Sequence, residues 1–290
     1  MPNKHPYTTL ISAANLLQNA PQANWVIIDC RHDLADLDAG RAAYTSGHIP
    51  MAQFAHLDQD LSGAKLAADG VFKGRHPLPE QDALIATLRQ WGINDDTQVV
   101  AYDAQGGIFA ARLWWLLRSI GHASVAVLDG GLAAWLAEGQ TLSTTVTTNV
   151  KGTISIKPAL VTNVDAQDVL NNLTNPQRTV VDARAPDRFR GENETIDPIG
   201  GHIPGAKNRF FKDNLQADAR FKPVEQLRQE WSTIISDPNK AVMQCGSGVT
   251  ACHNLLALEL AGLSGAALYP GSWSEWCADT TRPIATGAGT

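Results

Sequence analysis

Four sequence blocks occur in the first half of the chain and return in the same order in the second. The first half carries NWVIIDCR (residues 24–31), SGHIP (46–50), QVVAYDAQGG (98–107) and VLDGGLAAW (127–135). The second carries RTVVDAR (178–184), GGHIP (200–204), AVMQCGSGVT (241–250) and LYPGSWSEW (268–276). A long-period repeat with comparable gaps means one fold written twice, so any architecture must be buildable from half the chain. The full length of 290 residues accommodates two domains. We place the first at residues 1–140, a linker at 141–160 and the second at 161–290.

Each copy has an α/β pattern. Short β-rich apolar runs at residues 26–28, 99–101, 180–181 and 241–243 fit buried strands of a mostly parallel sheet. Between them lie helical stretches at 108–120 and 249–261, each followed by a glycine, Gly121 or Gly262, which accepts the left-handed conformation that stops a helix. Strands alternating with helices imply helices packed on both sheet faces. Residues 141–158 are Thr-rich, lack helical periodicity and end in a proline, as expected of an extended linker lying across the surface of both domains.

A net charge of -6 argues against a nucleic-acid surface, which needs a basic patch. The apolar stretch near the amino terminus is broken by Ser12, Asn15 and Gln18 and is not a secretory signal. No window is apolar enough to span a membrane. The cysteines, Cys30, Cys245, Cys252 and Cys277, have neither C-x-x-C nor zinc-ligand spacing. They read as reduced thiols of a cytoplasmic protein.

The segment AVMQCGSGVTACHNLLALEL carries the strongest chemical signal. An apolar strand ends at Gln244, Cys245 follows, then a loop with Gly246 and Gly248, then a helix. The glycines let the backbone curl so that N–H groups converge. The positive end of the helix aims at the same point. Such a loop suits an anionic sulfur or a bound anionic group, and ligands of open α/β sheets bind at the carboxyl ends of strands. Cys30, Cys252 and Cys277 read as small buried hydrophobes instead.

The CGSGVTA loop, the paired GHIP segments and the DAR-x3-RFRG run (182–191) resemble the rhodanese superfamily, and more closely its tandem-domain thiosulfate and 3-mercaptopyruvate sulfurtransferases. The resemblance covers nearly the whole chain. It implies two rhodanese-like domains with the nucleophile only in the second. Asp103 stands where Cys245 stands in the repeat, and a carboxylate cannot carry sulfur. The first domain is thus expected to serve structure and to wall a cleft.

The resemblance further implies that Arg188, in APDRFRG, binds the anionic end of the donor, since a guanidinium grips a carboxylate in a bidentate fork. The competing reading is a surface ion pair with Glu192 or Asp187. The donor contacts expected beside it are Gly246, Ser247, Gly248, Val249 and Thr250 of the loop. His76, in GRHPLP, is expected to aid proton transfer with Ser247. Asp60 is a weaker candidate. Arg184 and Arg31 occupy matching positions, as do His48 and His202, and such shared residues point to the fold. Arg190 is left open. Trp276 reads as core, and Trp273 as a residue bordering the cleft. Mercaptopyruvate-specific relatives often carry a second arginine after the RF run, and residues 192–200 (ENETIDPIG) hold no cation.

The implied chemistry is double displacement. The Cys245 thiolate takes sulfur from a small anionic donor, 3-mercaptopyruvate or thiosulfate, and passes it from a persulfide to a thiol, cyanide or a thioredoxin-like protein. No metal or organic cofactor is implied. A cysteine phosphatase is disfavoured because its Cys-x5-Arg loop would need a cation at position 251, which is Ala. A non-enzymatic sulfur sensor is disfavoured by the intact loop.

Overall fold

The computed structural model describes residues 6–20 and 24–289. The reading of the amino terminus as no secretory signal falls partly on residues 1–5, outside the described residues. The repeat is realised as two compact units. Unit 1 comprises the described residues up to Ser62, Pro79–Leu160 and Ala217–Phe221. Unit 2 comprises Gly63–Leu78, Val161–Gln216 and the described residues from Lys222 onward. The units therefore interleave in sequence. The stretch Gly63–Leu78 precedes the linker in the chain yet packs into unit 2.

Unit 1 holds β1 (Leu10–Ile11), β2 (Trp25–Asp29), β3 (Gln53–Phe54), β4 (Gln98–Tyr102) and β5 (Val125–Leu128) in one parallel sheet of order β1-β5-β4-β2-β3. Its helices are α1 (Ala13–Asn19), α2 (Ala39–Ser46), α3 (Leu57–Asp60), α4 (Gln81–Gln90), α5 (Ala110–Ser119) and α6 (Gly131–Ala137). Unit 2 holds β6 (Thr162–Asn163), β7 (Thr179–Asp182), β8 (Lys207–Asn208), β9 (Ala241–Gln244) and β10 (Ala267–Leu268) in the matching order β6-β10-β9-β7-β8, also parallel. Its helices are α7 (Ala166–Thr174), α8 (Pro186–Arg190), α9 (Val224–Ser232), α10 (Thr250–Leu260) and α11 (Ser272–Ala278).

The apolar runs read from sequence lie in the central strands β2, β4, β7 and β9. Every residue of β4 and of β9 is buried, which is why these strands read as continuous apolar runs and not as alternating ones. The helices foreseen at 108–120 and 249–261 are α5 and α10. Gly121 at φ +81° and Gly262 at φ +71° end their last turns, in backbone that a side chain would strain.

Residues 141–158 form no regular element but are anchored to unit 1. Ser143 pairs with His48, Gly152 donates to the Arg89 carbonyl, and the buried Ile154 donates to the Ile93 carbonyl. Lys157 N–H donates to the Ile120 carbonyl. These bonds dock the expected linker on unit 1.

Residues shared by the two copies make the same contacts twice. Arg31 chelates Asp29 and donates to the Gly47 carbonyl at 2.7 Å; Arg184 chelates Asp182 and donates to the Gly201 carbonyl at 2.7 Å. His48 stacks on Tyr44 and His202 on Phe189, with ring centroids 4.0 and 3.8 Å apart. These pairs tie the strand ends to the GHIP turns, the structural role expected of positions common to both copies.

Candidate active site

Parallel pairing of β7 with β9 sets Asp182 opposite Gln244. The segments leaving the two strands therefore run side by side at the carboxyl edge of the unit 2 sheet. One begins with Cys245; the other carries Arg184 and leads into α8 with Arg188. Cys245 is buried, and its N–H donates to Ser272 Oγ at 3.1 Å. The start of α11 clamps the loop, with Trp273 N–H on the Cys245 carbonyl and Ser274 N–H on that of Gly246. The Ser247 N–H points at Cys245 Sγ, 3.5 Å away. Val249 caps α10 and Thr250 is its first residue, so the positive end of an eleven-residue helix faces the loop.

Gly63–Leu78 brings two more groups to this loop. His76 Nδ1 lies 2.8 Å from Ser247 Oγ, and both residues are buried. Arg75 N–H donates to Ser274 Oγ at 3.1 Å. Its guanidinium reaches across Gly246 so closely that a Cβ there would meet Arg75 Nη2 at 2.7 Å, with Arg188 Nη2 at 3.8 Å. A side chain at 246 would have to push the end of the Arg75 guanidinium aside.

Two carboxylates hold these guanidiniums. Arg188 grips Glu194 through Nε and Nη2, the latter at 2.7 Å, and reaches Asp197 at 3.2 Å. Arg75 pairs with the other oxygen of Asp197. Arg184 touches Glu194 at 3.3 Å, which joins the structural Asp182–Arg184 pair to the cluster. Burial lowers the Arg75 guanidinium from its ordinary value; Cys245 opposes that effect and the charge of Arg188 adds to it. Asp182, Glu194 and Asp197 balance Arg75, Arg184 and Arg188, so a further bound anion meets guanidiniums already organised but largely compensated.

The residues singled out from sequence, Cys245 to Thr250, Arg188 and His76, thus lie together in unit 2. Others are placed differently. The Glu192 pair of the competing reading for Arg188 is made by Arg190 instead, at 2.7 Å, while Arg188 pairs with Glu194. Trp273, expected at a cleft border, is fully buried and donates to the Ile199 carbonyl; Arg184 lies over its ring. Asp60 is in unit 1, where it accepts from the His56 N–H. Cys252 lies inside α10 with Sγ on the Gly248 carbonyl at 3.2 Å. Burial raises the thiols of Cys30 and Cys277. Sequence reasoning missed Arg75, Glu194 and Asp197. The cue for Arg75 was its place next to His76 in GRHPLP, but nothing local reveals that this segment packs into the second unit.

In unit 1, Asp103 follows β4 as Cys245 follows β9. Its carboxylate accepts from the N–H groups of Gln105, Gly107, Phe109 and Ala110 at 2.8–3.1 Å. The loop that could cradle an anion is filled by its own side chain.

The rhodanese-like domain family matches residues 12–138 and 165–279. The chain is 46% identical over 281 residues to a probable 3-mercaptopyruvate sulfurtransferase of Pseudomonas aeruginosa, covering 96% of this chain and 98% of the relative. It is 39% identical over 285 residues to a putative thiosulfate sulfurtransferase, SseB, of Mycobacterium tuberculosis, covering 96% and 97%. Among solved structures, 3-mercaptopyruvate sulfurtransferase from Leishmania major superposes with a TM-score of 0.84 at 30% identity, covering 97% of this chain and 77% of that one.

Proposed function

The chain belongs to the rhodanese family as a sulfurtransferase with two rhodanese-like domains, and on that premise we propose that it draws sulfur from 3-mercaptopyruvate through a persulfide on Cys245. The observation that carries the reading is the meeting of a cysteine with paired guanidiniums in one loop. Arg75 and Arg188 both approach Gly246, the residue next to the nucleophile. Arg75 supplies the second cation that residues 192–200 lack.

The Cys245 thiolate attacks the donor sulfur and the carbon–sulfur bond breaks. Its electron pair departs on carbon as the pyruvate enolate, leaving the persulfide. The proton initially on the donor thiol ends on that carbon, and the Ser247–His76 pair is placed to relay it. Ser247 N–H and the α10 terminus favour negative charge on sulfur. A thiol, cyanide or a thioredoxin-like protein then attacks the outer sulfur and releases the Cys245 thiolate. Thiosulfate fits less well. It brings a dianion to compensated guanidiniums, whereas 3-mercaptopyruvate brings a monoanion whose charge lies away from the reacting sulfur.

No helix among the described residues is long and apolar enough to cross a membrane. The four cysteines are free, in keeping with the reducing cytoplasm we infer as its location. The test compares kcat/KM for 3-mercaptopyruvate and thiosulfate with one acceptor, and the mass of donor-treated protein. The proposal expects a higher value for 3-mercaptopyruvate and a gain of one sulfur that Cys245→Ser abolishes. Thiosulfate preferred by about tenfold, a gap of about 1.4 kcal/mol, overturns the donor assignment. Sulfur loading with turnover in Cys245→Ser overturns the carrier.

A further inference from the structure

Unit 1 has Asp103 where unit 2 has Cys245, and beside that loop it gathers side chains that the proposed sulfur transfer does not use. His32 follows β2 at the repeat position of Ala185 in unit 2. Its carbonyl accepts from the Gln105 side chain at 3.1 Å, and its ring meets Phe109 edge to face, with centroids 5.2 Å apart. Only 3% of the residue is exposed, and neither ring nitrogen has a hydrogen-bond partner. Buried imidazole nitrogens without partners are rare because the desolvation goes unrecovered. His56, equally buried, precedes α3, and Asp58 lies in its first turn. One ligating atom from each of His32, His56 and Asp58 lies within 4.8 Å of the others, and His32 Nε2 is 3.9 Å from Asp58 Oδ2.

We propose that His32, His56 and Asp58 form a binding site for a divalent first-row transition cation of the zinc class. Two imidazoles and one carboxylate favour such an ion over magnesium or calcium, which take oxygen ligands. Bonds of about 2.0–2.2 Å put tetrahedral ligands about 3.4 Å apart, so the donors must draw together by up to about 1.4 Å around the ion. Asp58 has the freedom to do so, since its side chain is 17% exposed on a four-residue helix. That exposure also leaves a water-accessible fourth position, as three-ligand sites do. Burial lowers the affinity of His32 for a proton, which keeps the imidazole in its ligating form.

Loading has one structural consequence. His56 Nδ1 accepts from the Asp58 N–H at 3.1 Å. A neutral imidazole has one lone pair in its ring plane, so whichever nitrogen takes the ion, this bond ends. The Asp58 amide is therefore a reporter of occupancy.

The test uses the full chain carrying Cys245→Ser, so that the reactive thiol does not compete. After chelation and removal of the chelator, zinc is titrated calorimetrically and cobalt by its visible absorption. The amides are followed by NMR. The proposal expects one equivalent, a four- or five-coordinate cobalt spectrum with nitrogen and oxygen ligation, and a displaced Asp58 amide. Asp58→Asn should weaken binding by about tenfold or more, as should His32→Ala if thermal unfolding shows it folded. Asp58, partly exposed on a short helix, keeps the test decisive if His32→Ala does not fold. Zinc and cobalt that fail to bind, or that bind equally well to Asp58→Asn without moving the Asp58 amide, overturn the site.

Discussion

On the proposed mechanism the Ser247–His76 pair should distinguish the two donors, because their leaving groups differ in one respect. Pyruvate leaves as a carbon base that must be protonated; sulfite leaves as an oxyanion stable without a proton. His76→Asn removes the imidazole 2.8 Å from Ser247 Oγ and keeps a polar side chain of smaller size. A positioned general acid or base contributes about 10²–10⁴-fold. The lower end applies here, since the proton reaches the carbon through a hydroxyl and water can substitute for part of the relay. The expected fall in kcat with 3-mercaptopyruvate is therefore about 10²-fold, or about 2.7 kcal/mol. With thiosulfate it should stay within about tenfold, the scale of one lost neutral hydrogen bond to Ser247, about 0.5–1.5 kcal/mol.

The assay is initial rate with each donor at saturation and cyanide as a common acceptor. Ser247→Ala should reproduce the pattern, and the double variant should add little, since residues acting as one unit are not additive. Equal losses with both donors would show that His76 shapes the loop and moves no proton. An unchanged rate with 3-mercaptopyruvate would remove the relay from the mechanism.

Arg75→Ala, with Arg188→Ala as its counterpart, should raise the KM for both donors by about tenfold or more, the worth of a charge-assisted contact of about 1.5–3 kcal/mol; unchanged steady-state kinetics in Arg75→Ala would leave that residue a purely structural partner of Asp197. Acid unfolding offers a check away from the site. Burial works against ionised Glu230, but hydrogen bonds from Arg209, Lys222 and Gln226 outweigh it and bring the carboxyl down to about 2. A folded-state value below the unfolded one means this contribution is present above pH 4.5 and is lost as pH falls towards 2. With solvent screening of a partly exposed group it is on the order of 1 kcal/mol. Glu230→Gln should therefore destabilise at neutral pH and converge on the parent in that window, as measured by urea midpoints against pH.

The repeat made the fold legible, because each block combines a buried strand with the turn that follows it, and both signals are local. Cys245, Ser247 and Arg188 were legible for the same reason: strand end, glycine loop and short helix are contiguous in sequence. Arg75 and Asp197 were not. Their pairing depends on Gly63–Leu78 joining unit 2, a choice made by packing and not by periodicity. Trp273 was misjudged because position in a repeat says which element a residue is on but not which way the ring turns. Here Arg184 covers it and the Ile199 carbonyl accepts its indole N–H, so the ring is held inside.

The two copies also differ in what fills a loop of this shape. Converging amides need an anion. In unit 1 the chain provides its own, and four N–H groups close on Asp103. Burial raises that carboxyl while the amides pull it down. Restoring a cysteine at 103 alone would therefore free the amides but not create a donor site. The guanidiniums of unit 2 come from α8 and from Gly63–Leu78. Unit 1 has His32 where the chain turns towards α8 in the other copy, with Asp33 and Leu34 after it in place of Pro186 and Asp187. On the proposed mechanism, sulfur transfer therefore draws on the loop and the arginines together. Unit 1 carries beside its filled loop not arginines but His32, His56 and Asp58, the groups proposed above to hold a cation.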